Sequence, residues 1–483
     1  MNHIIHYKIL CKVLSRLLII VGLALLVCAG VAFWFAEDIL PFLYTALISW
    51  TTAMALNWLA SGNGHEMRLH KKDTYLTVTL SWITVGMIGC LPYLFSGAIP
   101  SFIDAVFESF SGFTTTGSSI LTDIESLPKS VLFWRSLTHW IGGIGFIVLV
   151  IIIMPSMKIG GYQFFTLESS LQDRVHLRIR SVGFLLLMIY LVLTFAEVVL
   201  LLTGGMNLFE SLCHAFGTVA TGGFSPKNNS IGGYSPYIQY VVMTFMLLSG
   251  TNFVIYFYII KKELFKIRNN EELKFFYSVV LILGLFLSGV LFLKMGKPLE
   301  VSVREAFFQV ISIVTCTGYA TADYMLWPQY AWLIIFFAMF LGGCTGSTAG
   351  GIKIARHVLL YKNIRRIFRQ NLKPHAILPL HLNKIQVSDE TNSTILTFIT
   401  LYFILFTAGT LVMALLGLDI ITASSSVATC MAGIGPGLGS VGPANNFVHL
   451  PDAAKLLLSF LMVLGRLEIL TIIVLFSRSF WRR

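Results

Sequence analysis

The groups in this chain best placed to do chemistry are backbone carbonyls. Four short segments stand out: Thr114-Thr115-Thr116-Gly117, Val219-Ala220-Thr221-Gly222, Thr315-Cys316-Thr317-Gly318 and Gly433-Ile434-Gly435. Each is built of small or hydroxylated residues and ends on glycine. Extended backbone of this composition can aim carbonyl oxygens inward, where they replace the water shell of a cation. Glycine permits the backbone angles that turn a carbonyl toward such a site. None of the four segments carries a titratable carboxylate, imidazole or amine, so they offer coordination and not proton transfer. The patterns Gly-x-Ser-x-Gly and His-Glu-x-x-His do not occur, and no Cys/His spacing suits a metal. That speaks against a membrane enzyme.

Two further features suit a barrier. The run Gly342-Gly343-Cys344-Thr345-Gly346-Ser347-Thr348-Ala349-Gly350-Gly351 holds five glycines. Each costs a helix about 1 kcal/mol against Ala. A break is expected here, and backbone freed at membrane depth must line a wet cavity or be buried in protein. A phosphate loop does not fit, because Ile352 separates Gly351 from Lys353. Arg466 lies in the middle of an apolar run, where an arginine costs on the order of 3 kcal/mol. Glu468, two residues on, faces another side of the helix and is no natural partner. Arg466 is therefore expected to meet carbonyls of the Gly342–Gly351 loop as a positive barrier below the four segments. Glu197 carries no assignment, and His139 and His214 read as packed polar groups.

The elements that would position these residues repeat. Each segment follows an acid, Asp104, Glu210, Glu305 or Asp419, and about three turns of helix-capable sequence. Such half-helices would turn their negative C-terminal ends toward a cation, with the acids near the opposite, positive ends. The span after each segment carries a glycine, Gly143, Gly250, Gly343 or Gly465. The unit is span, half-helix, glycine-ending loop, span, and it occurs four times.

Composition places these units in lipid. Hydrophobic residues make up 56% of the 483 and charged residues 12%, about half the share of a soluble chain. Ten apolar stretches are long enough to cross, at about 14–36, 39–60, 74–97, 131–155, 179–203, 236–260, 274–294, 329–361, 394–416 and 453–477. The net charge of +11 comes from Lys and Arg concentrated in loops on one side, including Arg68, Lys261, Lys262, Arg365, Arg366 and Arg369. That bias puts both termini in the cytoplasm and leaves no reason to invoke nucleic acid. The first apolar run is too long for a cleavable signal peptide, and no structural disulfide is expected from the seven cysteines. The fold expected is an all-α integral membrane protein of ten transmembrane helices. It divides into an N-terminal two-helix extension (1–66) and four pseudo-symmetric pore repeats (67–165, 166–265, 266–375 and 376–483).

The strings SGFTTTG (Ser111–Gly117), TVATGGFS (Thr218–Ser225), VTCTG (Val314–Gly318), GIGPGLG (Gly433–Gly439), GGCTGSTAGGIK (Gly342–Lys353) and LGRLE (Leu464–Glu468) resemble the Trk/Ktr/HKT superfamily of potassium transporters. The two extra N-terminal spans are similar to its bacterial TrkH/TrkG branch. The resemblance implies potassium uptake across a bacterial inner membrane through a gated pore. It implies a selectivity filter with K+ at the four segments, keyed by Gly117, Gly222, Gly318 and Gly435, and a gate at the Gly342–Gly351 loop. It also implies a homodimer of pore subunits in lipid, a cytoplasmic nucleotide-binding regulator of the TrkA type, and no organic cofactor. The fourth segment departs from the family pattern, with Ala432-Gly433-Ile434 before Gly435. Sodium conduction and ion-coupled symport are the alternatives within the same superfamily.

Overall fold

A computed structural model describes residues 6–61, 71–152, 175–376 and 378–481. Long apolar runs become long helices, and breaks fall where capping residues or glycines permit them. The chain opens with a hairpin of α1 (Tyr7–Trp34) and α2 (Leu40–Leu59). Gly22 admits the Trp50 indole, and Ser15 and Ser49 donate across the pair to the carbonyls of Ala53 and Leu18, each at 2.8 Å. Small residues and hydroxyls of this kind hold helices together where lipid supplies no hydrophobic drive.

Next come α3 (Lys71–Gly89), a short α4 (Leu91–Phe95), α5 (Phe102–Phe113) and α6 (Lys129–Ile152). The order long helix, short helix, long helix then recurs. It is seen in α7 (Val175–Thr203), α8 (Leu208–Val219) and the bent pair α9 (Pro236–Gly250) and α10 (Phe253–Ile260). After a short α11 (Leu264–Arg268), it is seen in α12 (Glu271–Met295), α13 (Leu299–Val314), α14 (Gln329–Ala338) and α15 (Ile354–Leu372). A small hairpin, β1 (His381–Leu382) with β2 (Ile385–Gln386), leads to α16 (Asp389–Leu415), α17 (Ile420–Ala432), the bent pair α18 (Asp452–Arg466) and α19 (Ile469–Phe476), and a terminal turn α20 (Arg478–Trp481).

Among the described residues, five helices are long and apolar enough to cross a membrane, or seven if each bent pair counts as one span. The bends are sharp, 94° between α9 and α10 and 115° between α18 and α19. The 329–361 run is helical only at its two ends, because residues 339–353 leave the helix at the glycines. Large apolar side chains are exposed as well as buried, and many hydroxyl residues are buried among the apolar core. Leu293, Phe195 and Leu411 are exposed, while Ser111, Thr116, Thr218, Thr317, Ser347 and Thr429 are fully or almost fully buried.

The four short helices α5, α8, α13 and α17 start in similar ways. Ser101, Asn207 and Asp419 cap three of them through side-chain oxygens that accept backbone N–H groups three residues on. Asp104 and Glu210 sit in the first turn as expected. Glu305 does not. The third helix begins earlier, at Leu299, so Glu300 holds the first turn and Glu305 lies well inside the helix, paired with Lys297. On α3, Gly86 and Gly89 let Phe110 and Phe113 of α5 seat against the backbone, and Gly284 of α12 does the same for Phe307 of α13.

Candidate functional site: four loops in a ring above a glycine-rich loop

Each short helix ends in one repeated backbone turn. The N–H groups of Thr116, Gly222, Thr317 and Ile434 donate to the carbonyls of Ser111, Gly217, Ser312 and Thr429, five residues earlier in every case. Thr115, Thr221, Cys316 and Gly433 take positive φ (54°, 54°, 56° and 68°), and two residues later Gly117, Gly223, Gly318 and Gly435 do so again (83°, 78°, 84° and 107°). The second loop therefore needs a correction. Its counterpart of Gly117, Gly318 and Gly435 is Gly223, while Gly222 matches Thr116, Thr317 and Ile434. The small residue six positions earlier (Ser111, Gly217, Ser312 or Thr429) is the sequence signal that sets this register.

The loops close on one another. A Cβ placed on Gly117 would fall 2.1 Å from the Gly222 carbonyl oxygen, and one on Gly223 would fall 2.1 Å from that of Thr317. One on Gly318 would fall 1.7 Å from Ile434 O, and one on Gly435 would fall 3.0 Å from Thr116 O. Loop one thus abuts loop two, two abuts three, three abuts four, and four abuts one. The four positive-φ glycines line a cavity of about 210 Å³ whose walls also include Arg135, Asn228 and Asn445.

Bracing differs within the ring. In loops one and three, paired threonine hydroxyls touch, Thr114 with Thr116 and Thr315 with Thr317, each pair at 2.8 Å. Thr114 and Thr315 also bond back to the carbonyls of Phe110 and Ile311. Loops two and four carry Ala220 and Ala432 at the first of these places and cannot make the brace. Val219 ends the second short helix and lies just before its loop.

The Gly342–Gly351 loop lies against the ends of the short helices. Thr348 Oγ1 donates to Val219 O at 3.0 Å, a Cβ on Gly350 would meet Ala432 O at 2.1 Å, and one on Gly351 would meet Cys316 Sγ at 3.4 Å. The two arms of the loop meet each other. Gly342 N–H donates to Ile352 O and Ile354 N–H to Gly343 O, while Gly346 O accepts from Phe253 N–H at the α9–α10 bend. Ser347 Oγ turns back to Cys344 O. One buried carboxylate ties both feet, since Glu272 Oε1 accepts from the N–H groups of Thr345 (2.5 Å) and Ala355 (3.2 Å).

Arg466 reaches this loop. Its guanidinium donates to Thr348 O at 2.9 Å and to Gly142 O at 3.1 Å. A second buried cation, Lys353, donates to the next carbonyl, Ala349 O. Glu468 partners Arg356 and not Arg466; it sits at the α18–α19 bend with φ +61°. The repeat glycine after the first loop shifts by one. A Cβ on Gly142 or on Gly465 would fall 2.0 Å from the carbonyl oxygen of Phe113 or Met431, residues at matching places in loops one and four. Gly142 is therefore the counterpart of Gly465, and Arg466 takes the place that Gly143 has after the first loop.

Outside the ring, Arg135 and Glu108 form a fully buried pair at 2.7 Å. Glu108 also accepts from Ser119 Oγ and Ile120 N–H beyond loop one, and Arg135 donates to Ser225 O beyond loop two. The pair joins the outer flanks of two adjacent loops. Breaking a buried pair leaves an uncompensated charge and costs about 3–5 kcal/mol. Glu108→Ala should therefore lower the thermal midpoint of the detergent-solubilised protein far more than Glu125→Ala, a partly exposed acid whose ion pair with Lys227 is 3.3 Å long. Equal midpoints would show that the pair does not hold the flanks together. Beside the cavity, the hydrogen bond from Asn228 holds the exposed Asp123 carboxyl below its usual value.

Sequence reasoning missed Glu108, Glu272, Lys353 as a loop ligand, and the Arg356–Glu468 pair. Glu108, Glu272 and Arg356 meet partners 27 to 112 positions away, which leave no local pattern; Lys353 meets Ala349 only four positions away, but nothing in that spacing marks a carbonyl ligand.

A mainly helical chain with long apolar helices and four loops that close on one another has the build of a membrane protein, and its relatives place it among transporters. Residues 43–483 match the TrkH family, described as cation transport protein, and the chain belongs to that family. It is 36% identical over 435 residues to the Trk system potassium uptake protein TrkI of Halomonas elongata, covering 89% of this chain and 88% of that protein. It is 32% identical over 485 residues to the Trk system potassium uptake protein TrkH of Escherichia coli K12, covering 99% and 100%. The crystal structure of the potassium transporter TrkH from Vibrio parahaemolyticus superposes with a TM-score of 0.90 at 30% identity, covering 99% of this chain and 100% of that one.

Proposed function

We propose that this chain takes up potassium ions across a bacterial inner membrane through a gated, channel-like pore. The observation that carries the reading is the cyclic closure of the four loops, each glycine against the next loop's carbonyl. Rings of backbone carbonyls replace the hydration shell of a monovalent cation. The relatives named as potassium uptake proteins support the choice of ion. In this reading, Gly117, Gly223, Gly318 and Gly435 key the selectivity filter, with K+ held by carbonyls of the residues around them. The Gly342–Gly351 loop with Arg466 is the gate.

The pore is assembled from ten spans, as a two-helix extension and four repeats with the boundaries given above. Of those boundaries, 66/67 and 165/166 lie outside the described residues. Both termini face the cytoplasm and two pore subunits pair. Purified protein in proteoliposomes should take up rubidium down its gradient, with unlabelled potassium competing at concentrations where sodium does not. Equal competition by sodium, or uptake that needs a proton gradient, would redirect the reading to the other transport modes of the superfamily.

The cytoplasmic partner proposed is a nucleotide-binding regulator of the TrkA type. The exposed face of α15 carries Arg365 and Arg369, while Lys362 is engaged by Glu271 and Arg366 lies near Asp389. Lys261 and Lys262 are exposed as well, and Arg68 lies outside the described residues. Reversing Arg365 and Arg369 to Glu should abolish co-purification of such a regulator while leaving rubidium uptake by the isolated chain intact. Undiminished co-purification would remove α15 from the docking face.

A further inference from the structure

Loop two is the only one of the four with glycine in the place just before the positive-φ glycine. Thr116, Thr317 and Ile434 fill that place elsewhere. In loops one and three the threonine there completes the hydroxyl brace. In loop two the corresponding volume is taken by a side chain from another element. A Cβ on Gly222 would lie 2.3 Å from His139 Nδ1 and 2.5 Å from its Cγ, so the imidazole of α6 stands where a threonine side chain would begin.

His139 also holds the loop on its outer side. It is fully buried, its ring stacks on Phe224 at 4.1 Å and 14°, and its Nδ1 accepts the Phe224 N–H at 3.4 Å. One helical turn earlier, the Arg135 guanidinium covers Phe224 at 4.0 Å. Two side chains of α6 thus hold the residue that follows Gly223, and one of them also fills the gap at Gly222.

We infer that His139 is a positioning residue for ion selection: it supplies from α6 the brace that loops one and three build from their own threonines. The inference rests on reading the four loops as the ion filter. Its physical content is limited to holding the Gly222 carbonyl against Gly117 and the Gly223 backbone against loop three. His139 does not touch the ion.

The swap that follows is specific. His139→Ala opens a gap behind Gly222 and removes the acceptor for Phe224 N–H. A lost hydrogen bond of about 1 kcal/mol at this point should reduce potassium-over-sodium discrimination about fivefold, with uptake of rubidium itself retained. Restoring the brace within the loop, as His139→Ala/Ala220→Thr/Gly222→Thr, should recover most of the discrimination, because the new threonine pair occupies the space the imidazole left. Introducing Gly222→Thr with His139 in place should do the opposite and damage the loop. A merely structural histidine would lower protein yield and thermal midpoint but would not be rescued in ion preference by threonines on another segment.

Selectivity is measured in proteoliposomes by sodium competition against rubidium uptake, with Gly117→Ser as the reference. If Gly117→Ser loses discrimination but folded His139→Ala keeps the wild-type ratio, the histidine is not a brace. If His139→Ala does not fold, the triple variant decides alone: discrimination within about twofold of wild type supports the exchange, and a folded but unselective triple variant overturns it. If Gly117→Ser also keeps the wild-type ratio, the loops are not the filter and this inference falls with that reading.

Discussion

Arg466→Ala should raise rubidium uptake about tenfold. The guanidinium is buried, and it is fixed by Thr348 O on the Gly342–Gly351 loop and by Gly142 O on α6. In the proposed pore an ion that passes the ring would cross this place, where a fixed positive charge would oppose it. Unit charges 4 Å apart repel by about 4 kcal/mol at an effective dielectric of 20. One third of that changes a barrier-limited rate about tenfold. The geometry adds a second contribution, because the same side chain pins the loop, and its loss frees Thr348. Arg466→Lys separates the two: it keeps the charge but cannot span both carbonyls, so its uptake should stay near wild type if charge dominates. Lys353, bonded to Ala349 O, remains in the Ala variant and limits the gain. Deleting Gly346 and Ser347 shortens the loop without touching either cation and should also raise uptake. The double variant should gain less than the product of the single gains, since both changes open one constriction. Reduced uptake by well-folded Arg466→Ala would mark the arginine as a structural tie and end its role as a barrier.

How much of this was legible in the sequence follows from what each feature depends on. The four loops were legible because their signal is local: an acid, a few turns, threonines and a glycine within one stretch. The break at residues 339–353 was legible for the same reason, since five glycines disqualify a helix on composition alone. The register inside loop two was missed because Gly222 and Gly223 are chemically identical, and the signal that separates them, the small Gly217 six positions before Gly223, lies back in the short helix. The third short helix was misplaced at its start because Glu305 resembles the capping acids of the other repeats, yet the helix runs back to Leu299. Glu272 and the Arg356–Glu468 pair were out of reach. Glu272 meets Thr345 of the loop and Ala355 at the start of α15, 73 and 83 positions away, and Arg356 meets its partner 112 positions away. No spacing rule connects such residues; only the closed ring does. Arg466 was the exception among distant contacts, because an arginine in an apolar run demands a partner and the only unpaired carbonyls in prospect were those of the broken span.

The ring itself makes the other large prediction: serine at its glycines should abolish ion discrimination in an order set by the contacts. Gly318→Ser is the most damaging, since its Cβ would enter Ile434 O at 1.7 Å with φ at +84°. Gly117→Ser and Gly223→Ser come next, each with a backbone oxygen at 2.1 Å. Gly435→Ser is mildest by contact, with neighbours no nearer than 3.0 Å, though φ of +107° still strains any side chain. Left-handed backbone costs an L-residue roughly 1–2 kcal/mol before any clash, and the atoms in the way are backbone of the next loop, which cannot turn aside as a side chain can. The carbonyl must move, and a carbonyl ring with one member displaced loses the fit that separates potassium from sodium. Gly117→Ser is expected to lower the potassium-to-sodium ratio at least tenfold in the uptake assay. The decisive comparison is Gly222→Ser with Gly223→Ser. A serine at 222 meets the His139 imidazole, a side chain, so its damage should be smaller and relieved by His139→Ala. A serine at 223 meets Thr317 O, so its damage should persist whatever occupies position 139. Relief of Gly223→Ser by His139→Ala, or an unchanged ion ratio in Gly318→Ser, would contradict the ring as the site of selection.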